Sequence, residues 1–213
     1  LFAPNAKIIH LDVDYSSVSK IIEANIAVFG QVKNSLLEMI KLLEVKKELI
    51  DPKKILPWKK QISDWKSQHG LNHELHLCET DDKPIMPQAV VQHIYNITNG
   101  KAFITSDVGQ HQMFAAQYYH FDEPRKWINS GGLGTMGFGL PAAMGAKLAY
   151  PNDEVICITG EGSIQMCIQE LSTCTQYNLP IKIININNEA LGMVKQWQDM
   201  NYGGRHSAST YQS

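Results

Sequence analysis

The chain has 213 residues, of which 44% are hydrophobic and 19% are charged, and its formal net charge is −2 at pH 7. This composition is typical of a globular protein and gives no electrostatic reason to expect a nucleic acid or an anionic membrane as a partner. No apolar run approaches the roughly 20 residues that a membrane-spanning helix needs, and no signal peptide is visible. The four cysteines, Cys78, Cys157, Cys167 and Cys174, show no CxxC spacing and are interpreted as small buried hydrophobic residues in a reducing cytosol.

Residues 1–48 predict a small α/β segment. The run KIIHLDV at 7–13 is typical of a buried strand, and a helix is expected from there to about Asn25. IAVF predicts a second short strand that ends at Gly30, and the following VKNSLLEMIKLLEVKKE has the apolar spacing of an amphipathic helix. The segment is too short to form a complete doubly wound domain.

Residues 49–86 differ in character and predict a connection between domains. Lysine, proline and tryptophan are frequent in DPKKILPWKK and DWKSQHG, and one short helix is expected near residues 58–68. Three histidines follow, His69, His73 and His76, but HGLNHELH has neither the HExxH spacing nor that of a zinc finger. No metal site is predicted there.

After Pro87 the predicted helices and strands alternate regularly. Strands are expected at KAFITSD, EVICIT and IKIININ, whereas PRKWINS is short and has polar flanks. Helices are expected at QAVVQHIYNIT, HQMFAAQYY, LPAAMGAKLA and SIQMCIQELSTCTQY, and from Leu191 onward. Strands separated by helices predict an α/β domain with a doubly wound parallel sheet.

Polar residues stand at the ends of two of these strands. GEGS at 160–163 follows VICIT, and Asn187 and Asn188 follow the run that starts at Ile181. If the two strands are parallel neighbours, these groups meet at the carboxyl edge of the sheet, where open α/β sheets bind ligands. A carboxylate and an amide oxygen beside glycine backbone therefore predict a site for a hard cation, with room for a diphosphate.

This pattern resembles the thiamine diphosphate (TPP) signature, in which GDG is followed at a distance by NN. The segments SDVGQHQMFAAQYY, INSGGLGTMGFGLPAAMGAKLA and LGMVKQWQDM extend the resemblance, over nearly the whole chain, to the catalytic large subunit of acetolactate synthase (acetohydroxyacid synthase). The resemblance implies an incomplete chain. Residues 1–48 would be the C-terminal part of an FAD-associated central domain, 49–86 a linker, and 87–213 a TPP-binding domain truncated at its C-terminus.

The resemblance implies a magnesium site at the two strand ends. Glu161 would supply a carboxylate oxygen, Asn188 its side-chain oxygen and Ala190 its backbone carbonyl, with diphosphate and water completing about six ligands. The family's usual residue at position 161 is aspartate. The extra methylene of glutamate predicts weaker magnesium affinity or a more permissive metal site.

The same resemblance implies which residues hold the diphosphate. Gly160 and Gly162 would allow its close approach, and Ser163 would offer a hydroxyl and a backbone N–H at the start of a helix. Gln110 and His111, in the loop that follows another strand, would donate hydrogen bonds.

The pyrimidine end of the cofactor is assigned to the glycine loop. Gly134 would present its carbonyl to the aminopyrimidine, and Met136 would wedge beneath the cofactor and hold it bent. The full set of expected cofactor-binding residues in this domain is Val108, Gly109, Gln110, His111, Gly134, Met136, Gly160, Gly162, Ser163 and Gly192.

Substrate and flavin contacts are also implied. Met193 and Trp197, four residues apart on one helical face, would border a substrate channel, where the tryptophan would favour 2-ketobutyrate over pyruvate as the second substrate. Asp12 and Val13 match the region that contacts the FAD adenosine, although Gln31 stands where the family commonly has aspartate. Most of the FAD site would lie upstream, so this chain is not expected to hold flavin.

The implied reaction is the decarboxylative condensation of two pyruvates to 2-acetolactate, or of pyruvate and 2-ketobutyrate to 2-aceto-2-hydroxybutyrate, in branched-chain amino acid biosynthesis. The implied cofactors are TPP, Mg²⁺ and FAD, and the implied assembly is a cytoplasmic homodimer or homotetramer with a small regulatory subunit. The family's catalytic glutamate belongs to a domain of a partner subunit, so no catalytic residue is assigned in this chain. The chain alone is therefore expected to show no turnover.

Three alternatives remain open. Another TPP-dependent 2-ketoacid enzyme, of the pyruvate oxidase or glyoxylate carboligase type, would share the signature, although GMVKQWQ favours acetolactate synthase. An NAD-binding dehydrogenase would use Gly132, Gly134 and Gly137 as a GxGxxG fingerprint, but it leaves the paired asparagines unexplained. A non-catalytic remnant is the third alternative, particularly if Glu161 cannot hold Mg²⁺.

Overall fold

A computed structural model describes residues 3–49, 51–70 and 84–211 of the chain. The chain divides into two compact units, residues 1–65 and residues 66–213. The described residues contain no helix that is both long enough and apolar enough to cross a membrane. His73, His76 and Cys78, with much of the predicted linker, lie outside the described residues, and the domain boundaries inferred from the sequence stay predictions.

The first unit contains a two-stranded parallel sheet. Strands β1 (Ile9–Asp12) and β2 (Ile26–Phe29) pair in parallel, and helix α1 (Val32–Val45) follows. The helix predicted up to Asn25 is absent from this described stretch, which has a single 3-10 turn, Tyr15–Ser17. Its start is capped by Asp14, whose carboxylate accepts the Ser16 N–H at 2.8 Å. Among the described residues of this unit none is buried.

The segment after α1 is more helical than the sequence indicated. Two 3-10 helices, Lys47–Leu49 and Pro52–Ile55, lead into α2 (Leu56–His69), which is slightly longer than the helix predicted at 58–68. The Asp51 side chain starts the second 3-10 helix by accepting the Lys53 N–H at 3.0 Å. The division between the two units falls within α2.

The second unit is built on a four-stranded parallel sheet with the order β4-β3-β5-β6. The strands are β3 (Phe103–Ser106), β4 (Trp127–Asn129), β5 (Val155–Thr159) and β6 (Lys182–Asn185). Every residue of β3 and β5 is buried, because helices cover both faces of the two central strands, and such strands read as continuous apolar runs. β4 lies at the sheet edge and pairs through only three residues. So short a strand leaves little apolar pattern, and for this reason the sequence did not predict it firmly.

In the described part of this unit, six helices flank the sheet or close its ends. They are α3 (Pro87–Thr98), α4 (Gln110–Tyr118), α5 (Gly139–Ala149), α6 (Glu161–Ile164), α7 (Glu170–Gln176) and α8 (Gly192–Asn201). The single helix predicted over 163–177 is two helices. The hydrogen bonds between them run from residue i to i−3, as in Cys167 N–H to Ile164 O, so the α-helical pattern is interrupted.

Two apolar clusters lie on the two faces of this sheet. One joins Val91 of α3 and Ala115 of α4 to Ile104 and Ile158. The other packs α5, through residues such as Leu140 and Ala143, together with Phe103, Val155 and Cys157. Layers of helices on both faces of a parallel sheet confirm the predicted α/β fold class.

Two of the three cysteines described in this unit are buried, as the sequence interpretation expected. Cys157 and Cys167 are buried, Cys174 is partly exposed, and none of these three forms a disulfide. Burial raises the pKa of the Cys157 thiol to about 12, so it is protonated at neutral pH.

The strand order places a switch point between β3 and β5. From β3 the chain crosses outward to β4, then returns through α5 to β5 on the other side of β3. The loops after β3 and β5 therefore separate at the carboxyl edge, and the loop after β6 lies next to them. Open α/β sheets bind ligands in the crevice that such a switch point creates.

Candidate cofactor-binding site

A pocket lies at this carboxyl edge, where the loops after β3, β5 and β6 meet. It gathers most of the residues that the sequence singled out, namely Val108, Gly109, Gln110, His111, Gly134, Met136, Gly160, Glu161, Gly162, Ser163, Asn188, Ala190, Gly192 and Met193. Its lining also includes Pro87, Phe114, Ile186, Leu191 and Val194. Sequence reasoning missed these five because an apolar residue that lines a pocket has the same sequence pattern as one in the core.

Three predicted site residues do not line this pocket. Trp197 lies on α8 one turn after Met193, but its side chain is exposed and outside the lining. Asp12 and Val13 belong to the first unit, where Asp12 accepts the Asp14 N–H at 2.9 Å and Val13 is exposed. Their assignment to a flavin stays a prediction.

A buried carboxylate fixes the glycine loop beneath the pocket. Asp107, directly after β3, is fully buried. Its Oδ1 accepts the N–H groups of Gly137 at 2.7 Å and Gly139 at 3.1 Å, and its Oδ2 accepts the Thr159 hydroxyl at 2.9 Å. One side chain thus joins the ends of β3 and β5 to the loop that carries Gly134. The sequence signal for this role was a single acidic residue directly after the buried strand FITS.

Ser163 connects two of the loops. Its side chain is buried, and its hydroxyl donates to the Val108 carbonyl at 2.8 Å. Its backbone N–H donates to Gly160 O at 3.1 Å. The hydroxyl and the N–H that the sequence assigned to a phosphate are therefore engaged in holding the loop after β3 against the start of α6.

His111 faces Gly160 across the floor of the pocket. A Cβ at position 160 would lie 2.7 Å from His111 Nδ1, so only glycine allows this approach. The imidazole is buried, and its Nε2 has no hydrogen-bond partner among the described residues. Burial lowers the pKa of His111 below its ordinary value, against the charges of Asp107 and Glu161, which raise it. A buried, unpartnered ring nitrogen in a pocket is a position that a ligand can satisfy.

The predicted metal ligands converge on one backbone group. Ala190 N–H donates to Glu161 Oε1 at 2.9 Å and to Asn188 Oδ1 at 3.2 Å. Two oxygens of the predicted ligand set therefore lie beside the same atom, although they come from different strand ends. Their roles as metal ligands stay predictions.

The segment 209–211 runs back alongside Ala190, the third predicted metal ligand, and orients its backbone. Thr210 lies opposite Ala190 in an antiparallel bridge, and the flanking hydrogen bonds join Leu191 N–H to Ser209 O at 2.8 Å and Tyr211 N–H to Glu189 O at 2.9 Å. Because the neighbours of Ala190 make these bonds, its own N–H and C=O point away from the return segment. The Ala190 carbonyl therefore shares the side of Glu161 and Asn188.

The charge of the lining sets what the pocket can hold. Among the described residues that line it, Glu161 is the one carboxylate and none is lysine or arginine. No group of three or more His, Cys, Asp or Glu residues suited to a metal occurs in the described part of the chain. The described lining therefore offers neutral and anionic oxygen groups, which are the kind of ligand that a hard cation takes.

Comparison with known proteins defines the class. Residues 107–213 match the family described as thiamine pyrophosphate enzyme, C-terminal TPP binding domain. Because this match covers half of the chain and includes the whole of the lining except Pro87, the chain belongs to this family of TPP-binding proteins.

Particular relatives confirm the resemblance to acetolactate synthase. The chain is 55% identical over 212 residues to the acetolactate synthase large subunit of Buchnera aphidicola subsp. Schlechtendalia chinensis, and 52% identical to the isozyme 3 large subunit of Escherichia coli (strain K12). Each match covers 100% of this chain and 36% of the relative. Acetolactate synthase 2, chloroplastic, of Brassica napus is 42% identical over 98% of the chain and 31% of its own length. The chain thus spans about a third of the length of these relatives.

We expect Asp107→Ala to destabilise the second unit by about 3 kcal/mol, because it leaves two buried N–H groups and a hydroxyl without their acceptor. Asp107→Asn keeps an oxygen for Gly137 and Gly139, so its cost should be about 1 kcal/mol. Denaturant unfolding measures both, and amide exchange at Gly137 should accelerate in the alanine variant only. The exposed Asp122, which accepts the Tyr95 hydroxyl at 3.0 Å, is the control. Equal costs for Asp107→Ala and Asp122→Ala would contradict the account.

The lowered pKa of His111 predicts a pH-dependent stability. As the pH falls below about 6.5, His111 takes up a proton in the unfolded chain before it does so in the folded chain. The free energy of unfolding should therefore decrease, by at most about 1.4 kcal/mol per pH unit, until the folded-state pKa is reached. His111→Gln should remove this part of the slope between pH 7.5 and 5.5, whereas His93→Gln, on the exposed side of α3, should leave it. An unchanged slope in His111→Gln would refute the assignment.

Proposed function

We propose that the chain is part of an acetolactate synthase catalytic large subunit, a TPP- and Mg²⁺-dependent transferase. The observation that carries the proposal is the pocket, in which Glu161 and Asn188 oxygens converge on Ala190 and the described lining residues include no lysine or arginine to hold a diphosphate. The proposed reaction joins two pyruvates, or pyruvate and 2-ketobutyrate, with loss of CO₂, in branched-chain amino acid biosynthesis. The relatives' names support this choice.

The residues present fit such a cofactor. Its diphosphate would be held beside Gly160 and Gly162, with Mg²⁺ on Glu161, Asn188 and the Ala190 carbonyl, and the unpartnered His111 Nε2 lies on the same floor. When bound, TPP supplies the electron sink for decarboxylation of a 2-ketoacid.

The chain's own contribution is positioning and exclusion of water. Asp107 fixes the glycine loop, so that Gly134 and Met136 present a preformed surface to the cofactor's rings. Ile186 and Leu191 add apolar walls to the pocket, and such walls reduce the access of water to the reacting carbon.

Met193 stands at the first turn of α8 and supplies an apolar contact for the second substrate. Apolar contact with one additional methylene is worth about 1–3 kcal/mol, enough to favour 2-ketobutyrate over pyruvate. Trp197, exposed on the same helix, is assigned to the outer part of the channel.

The remaining features of the whole enzyme are proposed on the resemblance alone. They are FAD bound mostly by residues other than those of this chain, with Asp12 and Val13 as contacts, a homodimer or homotetramer, a small regulatory subunit and a cytoplasmic location. We also propose, on the resemblance alone, that this chain shows no turnover without the rest of the enzyme.

The metal site is tested by calorimetric titration of TPP into the chain with Mg²⁺ and with EDTA. We expect metal-dependent binding, because a diphosphate without a basic partner needs the cation. Glu161→Gln keeps the side-chain size and removes the charge, so the Mg²⁺ concentration for half-saturation should rise about tenfold or more, a loss of at least about 1.4 kcal/mol. Glu161→Asp restores the residue usual in the family and should bind Mg²⁺ more tightly.

The control is Glu170→Gln on α7, where the carboxylate accepts the Thr173 hydroxyl at 3.0 Å and lies outside the pocket lining. Its Mg²⁺ dependence should match that of the unsubstituted chain. TPP binding that is equally tight in EDTA would refute the metal site. Identical curves for Glu161 and Glu161→Asp would refute the expected effect of the longer side chain.

A further inference from the structure

Three side-chain amides form a hydrogen-bonded chain from α8 to the loop after β6. Gln110 Nε2 donates to Gln196 Oε1 at 3.1 Å, and Asn188 Nδ2 donates to Gln110 Oε1 at 3.0 Å. At its end, Asn188 Oδ1 accepts the Ala190 N–H at 3.2 Å. Gln110 and Asn188 line the pocket, whereas Gln196 does not.

The polarity of this amide chain is fixed by one backbone group. A backbone N–H can only donate, so the Asn188 atom that faces Ala190 must be its oxygen. The Asn188 nitrogen then faces Gln110, which must present its oxygen there. The Gln110 nitrogen in turn needs an acceptor, and the oxygen of Gln196 supplies it. Each amide therefore has one consistent orientation.

Helix α8 packs against the middle of the amide chain. A Cβ at Gly192, the first residue of α8, would lie 2.2 Å from Gln110 Oε1 and 2.6 Å from Asn188 Nδ2. Gln196 lies four residues later, on the same side of the helix. The start of α8 thus confines the hydrogen bond between Gln110 and Asn188, while its second turn supplies the acceptor for the Gln110 nitrogen.

We propose that Gln196 is a positioning residue for the metal site, which holds Asn188 through Gln110 with its oxygen toward the cation. The inference rests on the proposed function, in which Asn188 Oδ1 is a Mg²⁺ ligand. Without an acceptor at position 196, Gln110 can turn over and present its nitrogen to Asn188. Asn188 is then oriented by the Ala190 N–H alone, which it shares with Glu161. A turned Asn188 would present an amide nitrogen, which carries hydrogens and does not bind a cation.

Two substitutions separate the acceptor from the size of the side chain. Gln196→Glu keeps an oxygen for Gln110, whereas Gln196→Met has a similar length and no strong acceptor. In calorimetric titrations of TPP at graded Mg²⁺, we expect half-saturation to need about fivefold more Mg²⁺ in Gln196→Met and to stay within about twofold in Gln196→Glu. Gln196→Ala also lacks the acceptor and replaces the methionine variant if that variant does not fold.

A second readout needs neither metal nor cofactor. In NMR spectra of the chain alone, the side-chain amide signals of Asn188 and Gln110 should move in Gln196→Met and remain in Gln196→Glu. Unmoved amide signals together with equal Mg²⁺ half-saturation in both variants would overturn the positioning role and leave the proposed function standing. Absence of Mg²⁺-dependent TPP binding in the unsubstituted chain would instead overturn the proposed function, and this inference with it.

Discussion

The buried carboxylate of Asp107 is the constraint on which the pocket depends. It stands at the switch point, after β3, and bonds to the glycine loop on one side and to Thr159 at the end of β5 on the other. A buried charge is costly unless several donors compensate it, and here three donors do. The same bonds that satisfy the charge hold the loop and the two strand ends in one arrangement. The hydrogen bonds of one side chain therefore define the shape of the glycine loop beneath the pocket.

The charged and polar groups in the described lining determine which ligands the pocket suits. Its described lining offers one carboxylate, two side-chain amides and backbone groups, and it includes no lysine or arginine. Glu161, Asn188 and the Ala190 carbonyl would hold a hard cation, which would supply the positive charge that a diphosphate needs. The neutral form of His111, favoured by its burial, adds a hydrogen-bonding group without adding charge. The motif-level resemblance and the electrostatics of the pocket thus support the same cofactor.

Much of the site was predictable because strand ends in a parallel sheet meet at one edge. GEGS and the paired asparagines were placed together from that rule, and all of GEGS and one of the asparagines, Asn188, line the pocket. The amide chain through Gln196 was not predictable, since hydrogen bonds between residues 86 positions apart leave no periodic signal. β4 and the break between α6 and α7 were missed for a related reason. Three paired residues carry too little pattern to predict a strand, and the change to i to i−3 hydrogen bonds between α6 and α7 has no signal in the apolar spacing of the sequence.

The central claim is that Glu161, Asn188 and the Ala190 carbonyl share one cation. Crystals of the chain grown with TPP and Mn²⁺, which replaces Mg²⁺ and scatters anomalously, test it most directly. The account predicts an anomalous peak within bonding distance of all three oxygens and of the diphosphate. A bound cofactor with no peak there, or with the metal held by other residues, would contradict it.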